Sequence, residues 1–269
     1  LITSIILRER DSGSFTLSGF YERRARRLLP ALFLVLACCI PFGILILTPP
    51  VFEQFALGLV GSATFSSNLV FLEAAPAYFR SADSELNPLL HTWSLAIEEQ
   101  FYLVYPLFLL LLLKFSRTAL WLTLSILMMS SFLFAVDYND TSFTFFAPHA
   151  RFWELLIGVF VAITLHERGG PLLPENRLIR QLAPILGLLM ILVPVFLIKS
   201  FDARPYIPVS VVALIPVLGT ALIILFSDTR TTIGRLLSLK PLVGIGLISY
   251  GAYLWHQPLL AFYKNVFIG

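Results

Sequence analysis

The amino-acid sequence predicts an all-α, polytopic transmembrane bundle, and three observations carry that prediction. Hydrophobic residues fill 58% of the 269 positions, charged residues only 13%, and the mean hydropathy is +0.85. Soluble domains carry about 25% charged residues, so the apolar surplus must face lipid. The second observation is a series of apolar runs near the length of about 20 residues that a helix needs to cross a bilayer core. The third is the shortness of the connections. They hold the breakers Thr48-Pro49-Pro50, Gly169-Gly170-Pro171, Arg204-Pro205 and Lys240-Pro241, and leave no place for a soluble domain.

The runs lie near 28–47, 53–72, 93–113, 119–136, 149–166, 182–198, 209–226 and 244–264. The second is the weakest, loosened by Gly58, Gly61, Ser62, Thr64, Ser66, Ser67 and Asn68. Lys and Arg collect on the cytoplasmic side of membrane proteins. If every run crosses, the basic residues divide 11 to 8; if 53–72 dips in and returns to the same side, they divide 14 to 5. The expected topology is therefore seven full crossings plus one re-entrant segment, with the Arg8–Arg27 stretch in the cytoplasm. The apolar stub Leu1–Leu7 is too short to cross and reads as the end of a helix whose beginning is missing.

Several function classes drop out early. The formal net charge of +3 is too small to point to nucleic acid. Cys38 and Cys39 are neighbours, which suits neither a structural disulfide nor a metal site. There is no nucleophile elbow, no phosphate loop and no zinc spacing. Asn139-Asp140-Thr141 fits a glycosylation pattern only as three residues do by chance, and His149 and His166 are given no role.

Ionisable groups inside a bilayer cost about 2.5–3.5 kcal/mol on insertion scales, so they mark function. The richest stretch runs from Asn87 to Pro106. Read as a helix, it places His91, Ser94, Glu98, Tyr102 and Tyr105 on one face, with Trp93, Glu99 and Gln100 beside them. An imidazole and a carboxylate on one face, with hydroxyls between, can bind and relay a proton. A polar stripe that only glues helices together is the plainer alternative. Arg23, Arg24, Arg26 and Arg27 form two interleaved Arg-x-x-Arg pairs just before a span. Their planar forks suit phosphate oxygens, and a topology anchor attracted to anionic lipid is the competing reading. Ser249, Tyr253 and His256 share a third face, in competition with an aromatic belt holding an incidental His. Arg151 and Glu154 sit three apart and are placed to pair with each other.

The run from Leu89 to Tyr102 (LLHTWSLAIEEQFY) resembles the signature of the acyltransferase-3 family. So do the Phe20–Pro30 arginine segment, Arg151-Phe152-Trp153-Glu154-Leu155-Leu156-Ile157-Gly158 and Tyr253-Leu254-Trp255-His256-Gln257-Pro258. The resemblance implies one membrane domain over residues 1–269, lacking its first helix, part of its second and its last. It is similar to the branch that O-acetylates bacterial surface polysaccharides in the inner membrane. It implies acetyl-CoA as donor with no permanently bound cofactor, a glycan or lipid-linked glycan such as lipopolysaccharide O-antigen as acceptor, and contact with membrane lipid. An appended extracytoplasmic esterase-like domain is a further implied partner. Family members carry an Arg and a His in their first helix, absent here, so the stretch by itself is expected to be inactive.

On this reading His91, Glu98 and His256 do the chemistry and the four arginines hold the nucleotide phosphates. Trp93, Ser94, Glu99, Gln100, Tyr102, Arg151, Glu154 and Tyr253 support them. The rival reading is a transporter or flippase for a glycan or lipid-linked intermediate, with the same polar stripe inside a bundle.

Overall fold

The computed structural model describes residues 1–78, 86–137, 141–201 and 209–267. Arg80, Asn139, Asp140, Arg204 and Pro205, which entered the sequence reading, lie outside these residues. The described chain is helical, without strands: α1 Ile2–Asp11, α2 Leu17–Ile46, α3 Pro49–Ala63, α4 Ser67–Tyr78, α5 Thr92–Leu112, α6 Arg117–Asp137, α7 Thr141–Phe146, α8 Pro148–Arg168, α9 Arg177–Phe201, α10 Val209–Phe226, α11 Thr232–Leu237 and α12 Lys240–Phe267.

Among the described residues, five helices are long and apolar enough to cross a membrane: α2, α5, α6, α8 and α9. The other two expected crossings correspond to α10, whose described apolar part is Ser210–Phe226, and to the 28-residue α12, which carries polar residues along its middle. The chain divides into two compact units. One comprises Thr16–Leu110, Ser142–Ala150 and Leu247–Gly269; the other comprises Leu1–Phe15, Leu111–Thr141 and Arg151–Gly246.

In the first unit, α2 begins eleven residues earlier than the apolar run at 28 suggests. The Thr16 side chain accepts from the Gly19 N–H at 3.2 Å and caps the helix there. The arginine segment is consequently helical and lies in the first turns of α2 instead of ahead of it. The core is made by Leu32, Val35, Leu36 and Cys39 of α2, Phe55 of α3, Leu89 and Leu95 about the start of α5, and Leu254 of α12. Gly43 is needed for this packing: a Cβ there would stand 2.5 Å from the Phe55 ring.

The weak run at 53–72 is broken at Thr64–Ser66 into α3 and α4, of 15 and 12 residues. Neither reaches the length of a crossing. Gly58 lies beside Phe71, and Gly61 beside Ser67 and Val70, so the two helices run antiparallel as a hairpin. This is the geometry that a re-entrant segment requires. Phe65 makes the bend with φ of 54°, a conformation a bulky residue seldom adopts. Gln100 of α5 holds that bend, donating from Nε2 to the Phe65 carbonyl at 2.8 Å and to Asn68 Oδ1 at 2.7 Å. Asn68 Nδ2 in turn donates to the Phe146 carbonyl at 3.3 Å.

In the second unit, α9 and α10 pack backbone to backbone where Gly187 meets Gly219. A Cβ on either would lie 2.6 Å from the other's carbonyl oxygen. Ser131 of α6 accepts from the Trp153 N–H of α8 at 3.0 Å. Side-chain contacts tie helix ends together: Arg117 with Glu167, and His166 Nε2 with Asp11 Oδ2 at 2.8 Å.

Candidate functional site

The candidate site lies in the unit containing α2, α3, α4, α5 and the second half of α12. It is built on the turn that precedes α5. Asn87 starts the turn, its Oδ1 accepting from the Leu89 N–H at 2.9 Å, and Thr92 closes it by donating to the Leu89 carbonyl at 2.7 Å. The α5 helix therefore starts at Thr92, and His91 is the last residue of the turn. Thr92 Oγ1 also meets Ser62 Oγ of α3 at 2.8 Å, so the hairpin braces the turn.

His91 is 8% exposed, and both its ring nitrogens are buried without a hydrogen-bond partner of good geometry. Its ring meets Tyr253 edge-on at 5.0 Å between centroids and His256 at 5.1 Å. Burial first, and then the His256 imidazole, lower the His91 pKa, so the ring is neutral near pH 7.

Two tyrosine contacts fix the geometry around it. The Tyr253 hydroxyl donates to the His91 carbonyl and lies 2.9 Å from Ser94 Oγ. Having one proton to give, Tyr253 accepts in the second bond from Ser94, whose hydroxyl hydrogen is shared with the His91 carbonyl 3.3 Å away. His256 Nδ1 lies 2.5 Å from the Tyr253 carbonyl. A carbonyl can only accept, so Nδ1 carries the hydrogen and the neutral ring keeps its lone pair on Nε2. His256 is exposed. The cluster thus holds one buried and one accessible imidazole, each able to accept a proton.

A second centre surrounds Arg24. Its Nε donates to Glu99 Oε2 at 2.8 Å and its Nη2 to Glu99 Oε1, a forked pair with side chains 21% and 11% exposed. The guanidinium lies over the Tyr102 ring, 3.9 Å from its centroid. Tyr21 donates to the Leu103 carbonyl at 2.6 Å and fastens α2 to α5 beside the pair. A cavity of about 330 Å³ opens here, lined by Arg24, Glu99, Gln100, Tyr102 and the hairpin bend at Thr64 and Phe65, with Leu28 and Leu29.

The structure thus brings together His91, Ser94, Tyr253 and His256 in one cluster, and Arg24, Glu99, Gln100 and Tyr102 around one cavity. Glu98 is exposed and makes no hydrogen bond or ion pair among the described residues, although its charge acts on Arg24, Tyr102 and Tyr253. Arg23, Arg26 and Arg27 are exposed, and Arg26 pairs with Glu22 one turn away at 2.6 Å. Trp93 packs on Phe145 and Phe146, at 4.4 and 5.6 Å between ring centroids, which makes it a packing residue of this unit. Arg151 and Glu154 belong to the other unit and pair with each other at 3.2 Å. No group of three or more metal-ligating side chains occurs among the described residues.

Two contributors escape the sequence patterns. Tyr250 donates to the Leu28 carbonyl at 3.1 Å, and Tyr21 secures the α2–α5 pair. Each acts through a backbone carbonyl far along the chain, and such partners leave no mark in local spacing.

A family profile described as an acyltransferase domain matches residues 3–269. Peptidoglycan O-acetyltransferase OatA of Listeria monocytogenes is 28% identical over 97% of this chain and 43% of its own length. YrhL of Bacillus subtilis is 31% identical over 97% of this chain and 42% of its own length. O-acetyltransferase OatA of Staphylococcus aureus is 29% identical over all of this chain and 45% of its own length. The chain therefore spans less than half the length of these relatives. No solved structure matches it.

Proposed function

Because the chain belongs to the acyltransferase-3 family, we propose that it is the membrane part of an O-acyltransferase. In this reading it moves an acetyl group from cytoplasmic acetyl-CoA to a hydroxyl of a cell-wall glycan. The observation that carries the reading is the pair of imidazoles, His91 and His256, whose rings meet edge to face beside Tyr253. Acyl transfer to a hydroxyl needs a base for the hydroxyl proton and a donor to the developing oxyanion. His256 Nε2 is the accessible base, and Ser94 and Tyr253 are hydroxyls beside it. Glu98, exposed and without a bonded partner among the described residues, can orient an incoming group or pass a proton onward.

The arginines supply the other requirement. Arg24 lines the cavity under the hairpin bend and offers the phosphates of the donor the guanidinium hydrogens that Glu99 does not take, and Arg27 stands one turn further along α2. The acceptor is where the reading shifts from the sequence-based expectation of lipopolysaccharide. A relative that matches nearly the whole chain is named for peptidoglycan, so peptidoglycan is the acceptor we propose. The setting is the inner membrane of a bacterium.

Incubating membranes that contain the full-length protein with deuterated acetyl-CoA, then weighing peptidoglycan fragments, tests this reading. A deuteroacetyl mass increment that His91→Gln and His256→Gln remove is expected. Unlabelled fragments from well-expressed wild-type protein would overturn it. Movement of a glycan in proteoliposomes without any acetyl donor would point instead to transport.

A further inference from the structure

With Arg24 as the anion ligand of the proposed function, the Arg24–Glu99 pair contains more than a structural bridge needs. A guanidinium has five N–H donors, and Glu99 takes the Nε and one Nη2 hydrogen. The remaining donors are outside the fork, beside a cavity of about 330 Å³. An anionic ligand reaching that cavity meets an arginine whose charge is already matched. It also meets the Glu99 carboxylate itself, which repels it.

We propose that Glu99 is a built-in competitor for the anionic donor: it holds Arg24 in place when the cavity is empty and limits how tightly a phosphate group can bind there. The surrounding groups fit this role. Tyr102 supports the guanidinium face, Tyr21 fixes the α2–α5 spacing, and Gln100 spans from the adjacent position to the hairpin bend. Arg24 therefore keeps its place when the carboxylate gives way. Arg27 lies one turn along α2, exposed and without an ion pair among the described residues, as a second cation for the same anion. The charged and titratable groups acting at this point are Glu98, Tyr102 and Tyr250, besides Arg24 and Glu99.

Such competition has a use. A site that bound the polyanionic donor through unopposed arginines would also retain the spent CoA, and product release limits many enzymes. A tethered carboxylate returning to Arg24 speeds that release. Glu99 is accordingly a positioning and release residue, not one that touches the reacting atoms.

The test is the binding of CoA to purified full-length protein in nanodiscs, together with the acetylation rate. Glu99→Gln keeps one hydrogen bond to Arg24 and removes the repulsion, so CoA should bind roughly tenfold more tightly. The turnover number should fall, because release slows. Glu99→Asp keeps the charge but shortens the arm, and should tighten binding by a smaller factor. Unchanged or weaker CoA binding in both variants would overturn the proposal and leave Glu99 as a plain bridge. Arg24→Gln separates this from the underlying reading. Loss of CoA binding there upholds Arg24 as a ligand whatever Glu99 does, whereas undiminished binding removes the basis for both.

Discussion

The His91 ring stands edge-on to the His256 ring, 5.1 Å between centroids, and the turn before α5 and the middle of α12 meet through that pair. Two imidazoles so close cannot both carry a proton without repelling each other, so a proton on one ring opposes a second proton on its neighbour.

A pH effect follows, with a definite sign. Transfer needs a neutral imidazole, and the lowered His91 pKa keeps that ring neutral below the ordinary value of about 6.5. The part of the acetylation rate that depends on neutral His91 should thus hold steady from pH 7 to pH 6 and fall only in more acid buffer. Replacing His256 with Asn relieves the second cause of the shift and leaves burial, the first, in place. The acid limb of the residual rate should then move upward, though not as far as the unperturbed value. A limb that stays put or moves down in a pH–rate profile would show that the rings do not titrate together.

Tyr253→Phe removes the hydroxyl shared by the His91 carbonyl and Ser94 while keeping the ring contact. One such hydrogen bond contributes about 1 kcal/mol, and the His91 carbonyl keeps Ser94 as a donor. The acetylation rate should fall roughly fivefold with CoA affinity unchanged. Weaker CoA binding with a normal turnover number would assign Tyr253 to the donor site instead.

Much of this was legible in the chain, because helix periodicity and hydropathy are local properties. The alignment of His91 with Ser94, and of Tyr253 with His256, follows from spacing alone. What spacing could not show was which face of α5 meets α2. Glu98 drew the attention because it shares a helical face with His91. Its neighbour Glu99, about 100° round the helix, is the acid that grips Arg24, a partner 75 residues away. The start of α2 was hidden for a different reason. Thr16 caps the helix ahead of the apolar run, and arginines continue a helix readily without adding hydropathy. The break between α3 and α4 was visible only as weak hydropathy. Its position depends on Phe65 in a left-handed conformation that sequence rules reserve for Gly or Asn.

Gly61 tests the hairpin directly. A Cβ there would lie 2.8 Å from the Ser67 Cα and 3.1 Å from its backbone nitrogen. Backbone cannot swing aside as a flexible side chain can, so Gly61→Ala must pry α3 from α4. Overpacking of this kind costs about 1–3 kcal/mol. The unfolding midpoint, followed by thiol labelling of Cys39, should fall by several degrees. Gly244→Ala, with nothing within 4 Å of its Cβ, is the control and should leave the midpoint close to wild type. Equal midpoints for the two variants would mean that the hairpin is looser than its geometry.

Gln100 joins the hairpin to the cavity, which makes it the residue most informative about their coupling. Its Nε2 group satisfies two oxygens at once, the Phe65 carbonyl and Asn68 Oδ1. Gln100→Leu retains the bulk and strands both acceptors, at about 1–3 kcal/mol for each that finds no other donor. Thr64 and Phe65 line the cavity with Arg24, so a bend released from Gln100 should spoil the proposed donor site as well as lower the midpoint. Gln100→Glu is the sharper variant. It fits the same space but sets a carboxylate against two oxygens that need a donor, and it adds a negative charge beside Glu99. CoA binding should weaken further in Gln100→Glu than in Gln100→Leu. If Gln100→Leu lowers thermal stability but CoA binds both variants as it binds wild type, the bend supports the fold without shaping the cavity.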